Sequence, residues 1–231
     1  MTHATQRIFV DRAEAGWLLV ERLRGAALEH PLVLAIPRGG VEVGAVLARG
    51  LGAELDIVLS RKLRAPHQPE HGLPAGDLAE LPLPLRLDGG VARVGHGPGE
   101  VVQVDLAVLV HGPEREFRLV RPRATIAGRT VILTDDGIAT GATMIAALHW
   151  VRAAGAKEII VAVPVGSPDR LDAIRPLCDR LVCLEEPDAF WAIGQFYRDF
   201  EQVEDARVVE LLRDYGLPAT KWERATAGAS H

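Results

Sequence analysis

The sequence predicts an α/β fold in which an open parallel sheet carries helices on both of its faces. Short apolar runs alternate along the chain with stretches whose apolar residues recur at helical spacing, and this alternation is typical of parallel strands joined by crossover helices. The run Val131–Leu133 is apolar throughout, as expected of a central strand that is buried on both sides. Glycine-rich junctions follow two of the predicted strands, and such folds bind ligands at the carboxyl ends of their strands.

The predicted elements follow one another regularly in both halves of the chain. Asp11 is a candidate N-cap for a helix of about 18 residues that Pro31 ends. The apolar stripe of that helix comprises Ala15, Leu18, Leu19, Leu23 and Ala27. The predicted strands are 32–36, 55–59, 130–134, 158–163 and 180–184, and the later helices are 41–51, 141–154, 168–177 and 203–215. Between these two halves, repeated prolines and glycines predict irregular structure.

Composition limits the classes of protein to which the chain can belong. The chain has 231 residues, of which 48% are hydrophobic and 25% charged, so it can bury a sizeable core. A formal net charge of −5 disfavours a general nucleic-acid surface. Cys178 and Cys183 suit a reducing compartment better than a disulfide framework. Because no apolar run approaches the roughly eighteen residues of a membrane helix, we expect a cytoplasmic protein.

The segment from Val131 to Thr143 joins a strand to a helix through a short loop that is rich in glycine and threonine. Asp135 and Asp136 lie where the strand ends. The N–H groups at the start of a helix have no partners within it, and the helix dipole adds positive potential, so this loop suits a phosphate dianion. Because two carboxylates would repel bare phosphate, a sugar phosphate whose hydroxyls face the acids fits better.

A hydrophobic strand, an acidic pair, small residues and then Thr-Gly-x-Thr resemble the signature of type I phosphoribosyltransferases. These enzymes bind 5-phosphoribosyl 1-pyrophosphate (PRPP). The resemblance implies that Asp135 and Asp136 hold the ribose hydroxyls, that the loop holds the 5-phosphate, and that Mg²⁺ lies near both acids, held mainly through PRPP. The implied PRPP-binding residues are Asp135, Asp136, Gly137, Ile138, Ala139, Thr140, Gly141, Ala142 and Thr143. The competing interpretation is a plain strand-turn-helix with an acid pair on its surface.

A second strand-to-helix junction has the sequence Ile36-Pro-Arg-Gly-Gly-Val41. Its glycines and its helix start place further N–H groups and one arginine at the same edge of the sheet. The junction resembles the pyrophosphate loop of phosphoribosyltransferases, which implies that Arg38, Gly39 and Gly40 bind pyrophosphate. Family members often hold a strained or cis peptide in this loop, for which the glycines leave room. Taken alone, the four residues Pro-Arg-Gly-Gly indicate only a turn.

Arg61 and Lys62 follow the predicted strand 55–59, where two cations can neutralise a departing pyrophosphate. The alternative is a solvated basic pair. The segment Ser60–Pro66 resembles the Arg-Lys-x-Gly-Ala-Pro pattern of one bacterial branch of predicted phosphoribosyltransferases, although residue 64 is arginine here. Residues His67–His71 match H-x-x-E-H, but the proline within this motif prevents the helix that a zinc site would need.

The resemblance also implies a hood over the site that recognises the acceptor. Five of the eleven aromatic residues lie between positions 187 and 200, and Phe190, Trp191, Phe196 or Tyr197 can stack on a nucleobase. The alternative is that these rings form the core of the hood itself. Enzymes for 6-oxopurines carry an aspartate where this chain has Ala139, which disfavours hypoxanthine and guanine and favours adenine over another base or an amine.

The expected function is Mg²⁺-dependent phosphoribosyl transfer from PRPP to a nucleobase or amine acceptor, with release of pyrophosphate. Two alternatives stay open: a PRPP sensor without catalysis, and a degenerate phosphate-binding protein. The resemblance further implies a homodimer. We expect one domain over residues 1–231. Its parts are a core at about 8–60 and 125–184, an irregular mobile-loop region at about 61–124, a hood at about 185–215 and a flexible tail at about 218–231.

Overall fold

The computed structural model describes residues 7–58, 61–62, 86–88, 91–96, 100–105 and 114–215, and its side chains are described for 7–58 and 116–215. The strands are β1 (Leu32–Ala35), β2 (Glu54–Ile57), β3 (Arg61–Lys62), β4 (Arg86–Asp88), β5 (Val91–His96), β6 (Glu100–Asp105), β7 (Thr130–Thr134), β8 (Glu158–Val165) and β9 (Arg180–Glu185). The α-helices are α1 (Arg12–Leu23), α2 (Gly39–Leu51), α3 (Glu114–Val120), α4 (Ala142–Ala153), α5 (Pro168–Ile174) and α6 (Asp205–Tyr215).

The central sheet is parallel throughout, with the strand order β2-β1-β7-β8-β9. Every residue of β1 and β7 is buried, as the unbroken apolar runs predicted. Because neighbouring strand residues point to opposite faces, Leu34 and Leu133 pack with the side chains of α4, whereas Val33 and Ile132 pack with those of α1, α2 and α6. The predicted open parallel sheet with helices on both faces is therefore confirmed.

The predicted length of the first helix is wrong. Asp11 caps α1 as expected, because its carboxylate accepts a hydrogen bond of 2.7 Å from the Glu14 N–H. The helix nevertheless ends at Leu23, since Arg24 is extended and Gly25 has a φ of +83°. Pro31 thus follows a helix that has already ended, and the predicted apolar stripe stops four residues before Ala27.

Part of the region that was expected to be irregular contains strands. A second, antiparallel sheet has the order β3-β6-β5-β4. The prolines that suggested irregularity lie between these strands in the sequence, at positions 66, 69, 74, 82, 84 and 98, where they do not remove ladder hydrogen bonds. The predicted flexible tail lies outside the described residues. No helix in the described ranges is long and apolar enough to cross a membrane.

Candidate active site at the carboxyl edge of the sheet

The two glycine-rich junctions leave the sheet side by side. Ala35 at the end of β1 pairs with Thr134 at the end of β7, and the Ile36 N–H donates a 2.9 Å hydrogen bond to the Thr134 carbonyl. The loop that enters α2 and the loop that enters α4 therefore start from one point on the carboxyl edge. The register between β1 and β7 brings together two segments that are about ninety residues apart in the sequence.

The start of α2 packs directly against the acidic pair. A Cβ atom on Gly40 would lie 2.8 Å from the Asp135 Cα, and one on Gly39 would collide with the Asp136 carboxylate. Glycine is needed at both positions because a larger residue would push the helix away from the acids. The peptide bond between Pro37 and Arg38 is cis, in agreement with the expected loop conformation.

The two acids differ in their surroundings. Asp136 is buried, whereas Asp135 is partly exposed and accepts a 2.8 Å hydrogen bond at Oδ1 from the Asp136 N–H. Burial and the neighbouring Asp136 carboxylate raise the pKa of Asp135 well above its ordinary value. Burial raises the pKa of Asp136 too, but the Arg12 guanidinium opposes that rise. As a whole residue Asp135 is the more exposed of the two, although burial of its carboxyl raises its pKa the more strongly.

Arg12 is a site residue that sequence reasoning missed. It is the first residue of α1, and its Nε donates a 2.9 Å hydrogen bond to Asp136 Oδ2. Its Nη1 donates to the Glu201 carbonyl at 2.9 Å, and its Cζ lies 4.0 Å from the centre of the Phe200 ring. The sequence did contain an indication that Arg12 is buried, because position 12 falls on the same helical stripe as the buried Leu19, seven residues later.

The loop before α4, which the sequence predicts to bind phosphate, is tied to the sheet at one end and exposed at the other. The Ile138 N–H donates a 2.8 Å hydrogen bond to the Val165 carbonyl, which ties the loop to the sheet, while Ala139 and Thr140 face solvent. Gly141 occupies the N-cap with a φ of +76° and without a side-chain hydrogen bond. The N–H groups in the first turn of α4 are therefore available to an anion.

Arg38 lies at the site as predicted, but its guanidinium already binds a carboxylate. Its Nε donates to Asp205 Oδ1 at 2.7 Å and its Nη2 donates to Asp205 Oδ2 at 3.3 Å. Asp205 begins α6, so this pair connects the predicted pyrophosphate loop to the C-terminal helix. A cavity of about 580 Å³ lies between Asp136 and the segment 200–203; its lining includes Arg12, Arg38, Gly39, Asp136 and Phe200.

The candidate acceptor aromatics divide into buried and exposed rings. Phe196 and Tyr197 are buried, and Tyr197 packs against Phe9 at 5.4 Å. Both rings therefore form the core of the hood and offer no open face to a nucleobase. The Tyr197 hydroxyl instead donates a 2.7 Å hydrogen bond to the Asp136 carbonyl. Trp191 is 89% exposed, and Phe190 is partly buried against Phe196.

The remaining predicted residues lie mostly outside the described side chains. Arg61 and Lys62 form β3, where they pair with Gln103 and Val102 of β6, and their role in binding pyrophosphate stays a prediction. Residues His67–His71 are not described. The described residues contain no cluster of three or more potential metal ligands. The acid pair nevertheless fits Mg²⁺, because this ion is commonly bound by one or two carboxylates together with substrate phosphates.

Comparisons with known proteins agree with this geometry. Residues 12–201 match the family described as the phosphoribosyl transferase domain. The crystal structure of TT1426 from Thermus thermophilus superimposes with a TM-score of 0.72 at 36% sequence identity, covering 91% of this chain and all (100%) of that one. A Mycobacterium tuberculosis protein named "Putative phosphoribosyl transferase" is 40% identical over 210 residues, which are 89% of this chain and 46% of the relative.

The chain therefore spans about half the length of that curated relative. The adenine phosphoribosyltransferase of Rhodospirillum centenum is 30% identical over 131 residues, which are 52% of this chain and 74% of the relative. Because the family match runs from α1 through the hood, it includes both junctions and the acid pair. The chain belongs to the phosphoribosyl transferase domain family.

Proposed function

We propose that the chain transfers the phosphoribosyl group of PRPP to a nucleobase or amine acceptor, with release of pyrophosphate and with Mg²⁺ as its cofactor. The observation that carries the proposal is the contact of the α2 start with the acidic pair. It brings Gly39 and Gly40 against Asp136 and Asp135 while the phosphate loop continues from the same strand. Two anion sites thus flank two carboxylates, which is the arrangement that a sugar carrying phosphates at both ends requires.

PRPP fits this arrangement in one orientation. Its 5-phosphate binds at the first turn of α4, and its ribose hydroxyls face Asp135 and Asp136. Its pyrophosphate lies at the first turn of α2 beside Arg38. Both helix starts lack a side-chain cap, so their N–H groups and dipoles are free to act on the phosphates.

Phosphoribosyl transfer depends on the orientation of the two substrates and needs no protein nucleophile. Loss of pyrophosphate from ribose C1 passes through an oxocarbenium-like state, which the residues stabilise by fixing the ribose and excluding water. The acid pair Asp135 and Asp136 would hold Mg²⁺ together with the PRPP oxygens. When bound, Mg²⁺ neutralises charge on the departing pyrophosphate.

Adenine is the acceptor that we favour. Residue 139 is alanine rather than aspartate, and a relative that is 30% identical over 131 residues is named adenine phosphoribosyltransferase. The exposed ring of Trp191 is available to stack on a base, and Gln195 Oε1 holds the backbone at this position by accepting a 3.0 Å hydrogen bond from the Trp191 backbone N–H.

A PRPP-binding protein without turnover is the second candidate, and the bond between Arg38 and Asp205 is the observation that favours it. A carboxylate that already binds the Nε and Nη2 donors of the guanidinium competes with pyrophosphate for these donors. Such a protein would bind PRPP and would not release pyrophosphate. The homodimer and the cytoplasmic location stay predictions, and sedimentation velocity tests the first of them.

Calorimetric titration of PRPP with Mg²⁺ tests the proposal. We expect saturable binding by the wild type and none by the Asp135→Asn, Asp136→Asn double variant. Asp172→Asn is the matched control, since this surface carboxylate is 76% exposed and its ion pair is with Arg175, three residues along the chain. Absence of binding by the wild type would overturn the proposal. Binding without pyrophosphate release, across a panel of bases and amines, would identify the second candidate as correct.

A further inference from the structure

We propose that Arg12 is a positioning residue for the acid pair, which holds the Asp136 carboxylate in its substrate-binding orientation and connects it to the part of the hood that contains Phe200 and Glu201. This inference rests on the proposed function, because the orientation matters only if the acids receive the ribose of PRPP. Arg12 reaches the substrate through Asp136 and is not itself a catalytic residue.

Two hydrogen bonds and a ring fix the guanidinium. Nε donates to Asp136 Oδ2 and Nη1 donates to the Glu201 carbonyl, each at 2.9 Å. The Phe200 ring lies 4.0 Å from the Arg12 Cζ, close enough for a cation–π contact. The Arg12 side chain is only 8% exposed. Two different nitrogens of the guanidinium donate hydrogen bonds, and a ring lies against its face. The guanidinium plane therefore has a single orientation.

The Asp136 carboxylate is confined between the guanidinium and α2. A Cβ atom on Gly39 would collide with the carboxylate and would lie 3.0 Å from Arg12 Nε. The carboxylate thus has the start of α2 on one side and Arg12 on the other. On its own backbone, the Asp136 carbonyl accepts the hydrogen bond of the Tyr197 hydroxyl. Both ends of the residue are held by groups from other elements.

The position of Arg12 does not stabilise its own helix. A cation in the first turn lies at the positive end of the helix dipole, where negative side chains are favourable and positive ones are not. Asp11 and Glu14 provide the favourable charges there. The buried arginine is therefore balanced by tertiary partners, of which Asp136 is the closest carboxylate and Glu42 Oε2 lies at 3.6 Å.

Arg12 connects the charged groups around Asp136. Asp135 lies beside Asp136, Arg12 faces it from α1, and Glu42 of α2 contacts Arg12. Arg207 of α6 faces Glu42 at 3.7 Å. Arg12 is thus the link between the Asp136 carboxylate and the charges of α2 and α6.

The experiment compares PRPP binding by the wild type, Arg12→Gln and Arg12→Lys at neutral pH. Arg12→Gln should weaken binding about ten- to a hundredfold, as expected for loss of a hydrogen bond between charged groups. Arg12→Lys, which keeps a positive charge beside Asp136, should restore part of the affinity. Thermal unfolding of each variant shows how much stability has changed.

Arg118→Gln is the matched control. It removes an arginine that donates a 2.6 Å hydrogen bond to the buried Asp56, and should leave the PRPP affinity unchanged. If Arg12→Gln does not fold, Arg12→Lys decides, because affinity below that of the wild type with retained stability supports the inference and unchanged affinity overturns it. Wild-type affinity in Arg12→Gln would overturn the inference alone. Absence of PRPP binding by the wild type would overturn the proposed function, and the inference with it.

Discussion

The junction between β1 and α2 and the junction between β7 and α4 share a local sequence pattern but lie in different surroundings. Both pass from a buried strand through glycine into a helix whose start has no side-chain cap. The α4 junction is open, since Ala139 and Thr140 face solvent. The α2 junction is closed, because Gly39 touches Asp136 and Arg38 binds Asp205.

Under the proposed function, the difference lets one sequence pattern serve two phosphates. The open turn accepts the 5-phosphate on its N–H groups with little rearrangement. At the closed turn, pyrophosphate has to displace the Asp205 carboxylate from Arg38, so its binding is coupled to the position of α6. Variants that open the closed junction or distort the open one test this distinction.

The largest effect is expected when alanine replaces Gly39. The new methyl group would collide with the Asp136 carboxylate, so the variant should lose about 1–3 kcal/mol of stability from overpacking. Displacement of the acid by even part of an ångström should slow pyrophosphate release by about a hundredfold. Urea unfolding and a pyrophosphate-release assay measure the two effects.

Gly141→Ala is the control at the open junction. Its Cβ would have no neighbour closer than 3.7 Å, so its cost comes from the φ of +76° and should be about 1 kcal/mol. If Gly141→Ala lost as much stability and activity as Gly39→Ala, the two junctions would not differ in the way that the contacts indicate.

Asp135 lies between the two junctions. The substitution Asp135→Asn should change stability less than Gly39→Ala does, and it should stabilise the protein rather than destabilise it. The folded-state pKa of Asp135 is raised by burial and by Asp136, so the stability that its proton contributes is present below the unfolded pKa and is lost as the pH rises through the folded pKa. Asparagine does not ionise. The variant should therefore be more stable than the wild type at neutral pH, although it loses PRPP affinity.

Urea unfolding at several pH values measures this gain. The difference in the free energy of unfolding should shrink toward acid pH and vanish below about pH 4, where the carboxyl is protonated in both states. Equal stability of the two proteins at neutral pH would contradict the expectation. Asp172→Asn again provides the exposed control.

The smallest effect is expected for Asp205→Asn, which weakens the carboxylate's hold on Arg38. The two side chains are 44% and 30% exposed, and such pairs contribute about 0–1 kcal/mol. Removing the competing charge should tighten binding of Mg²⁺–pyrophosphate by up to about fivefold. Glu210→Gln breaks an exposed pair within α6 and serves as the control. Weaker pyrophosphate binding by Asp205→Asn would mean that Asp205 positions Arg38 for the ligand rather than competing with it.

The sequence by itself determined the parallel sheet, the two junctions and the acid pair. Each of these depends on a short stretch of chain: an apolar run long enough to be a buried strand, and glycines at the start of a helix. Such patterns are local, so Leu32–Ala35 and Thr130–Thr134 were recognisable as strands without knowledge of the fold. The prediction of irregular structure near residues 86–105 was wrong, because the prolines on which it rested lie between strands and not within them.

Only the tertiary structure decided which side chains act together at the site. Arg12 and Asp136 are 124 residues apart, and Arg38 and Asp205 are 167 apart, so no local pattern connects the members of either pair. The burial of Tyr197 and the exposure of Trp191 were likewise undetermined, because two nearby aromatic residues have similar local preferences. The hydrogen bonds and the burial of a side chain depend on the residues that pack against it in the folded protein. At this site those residues come from other helices, strands and loops.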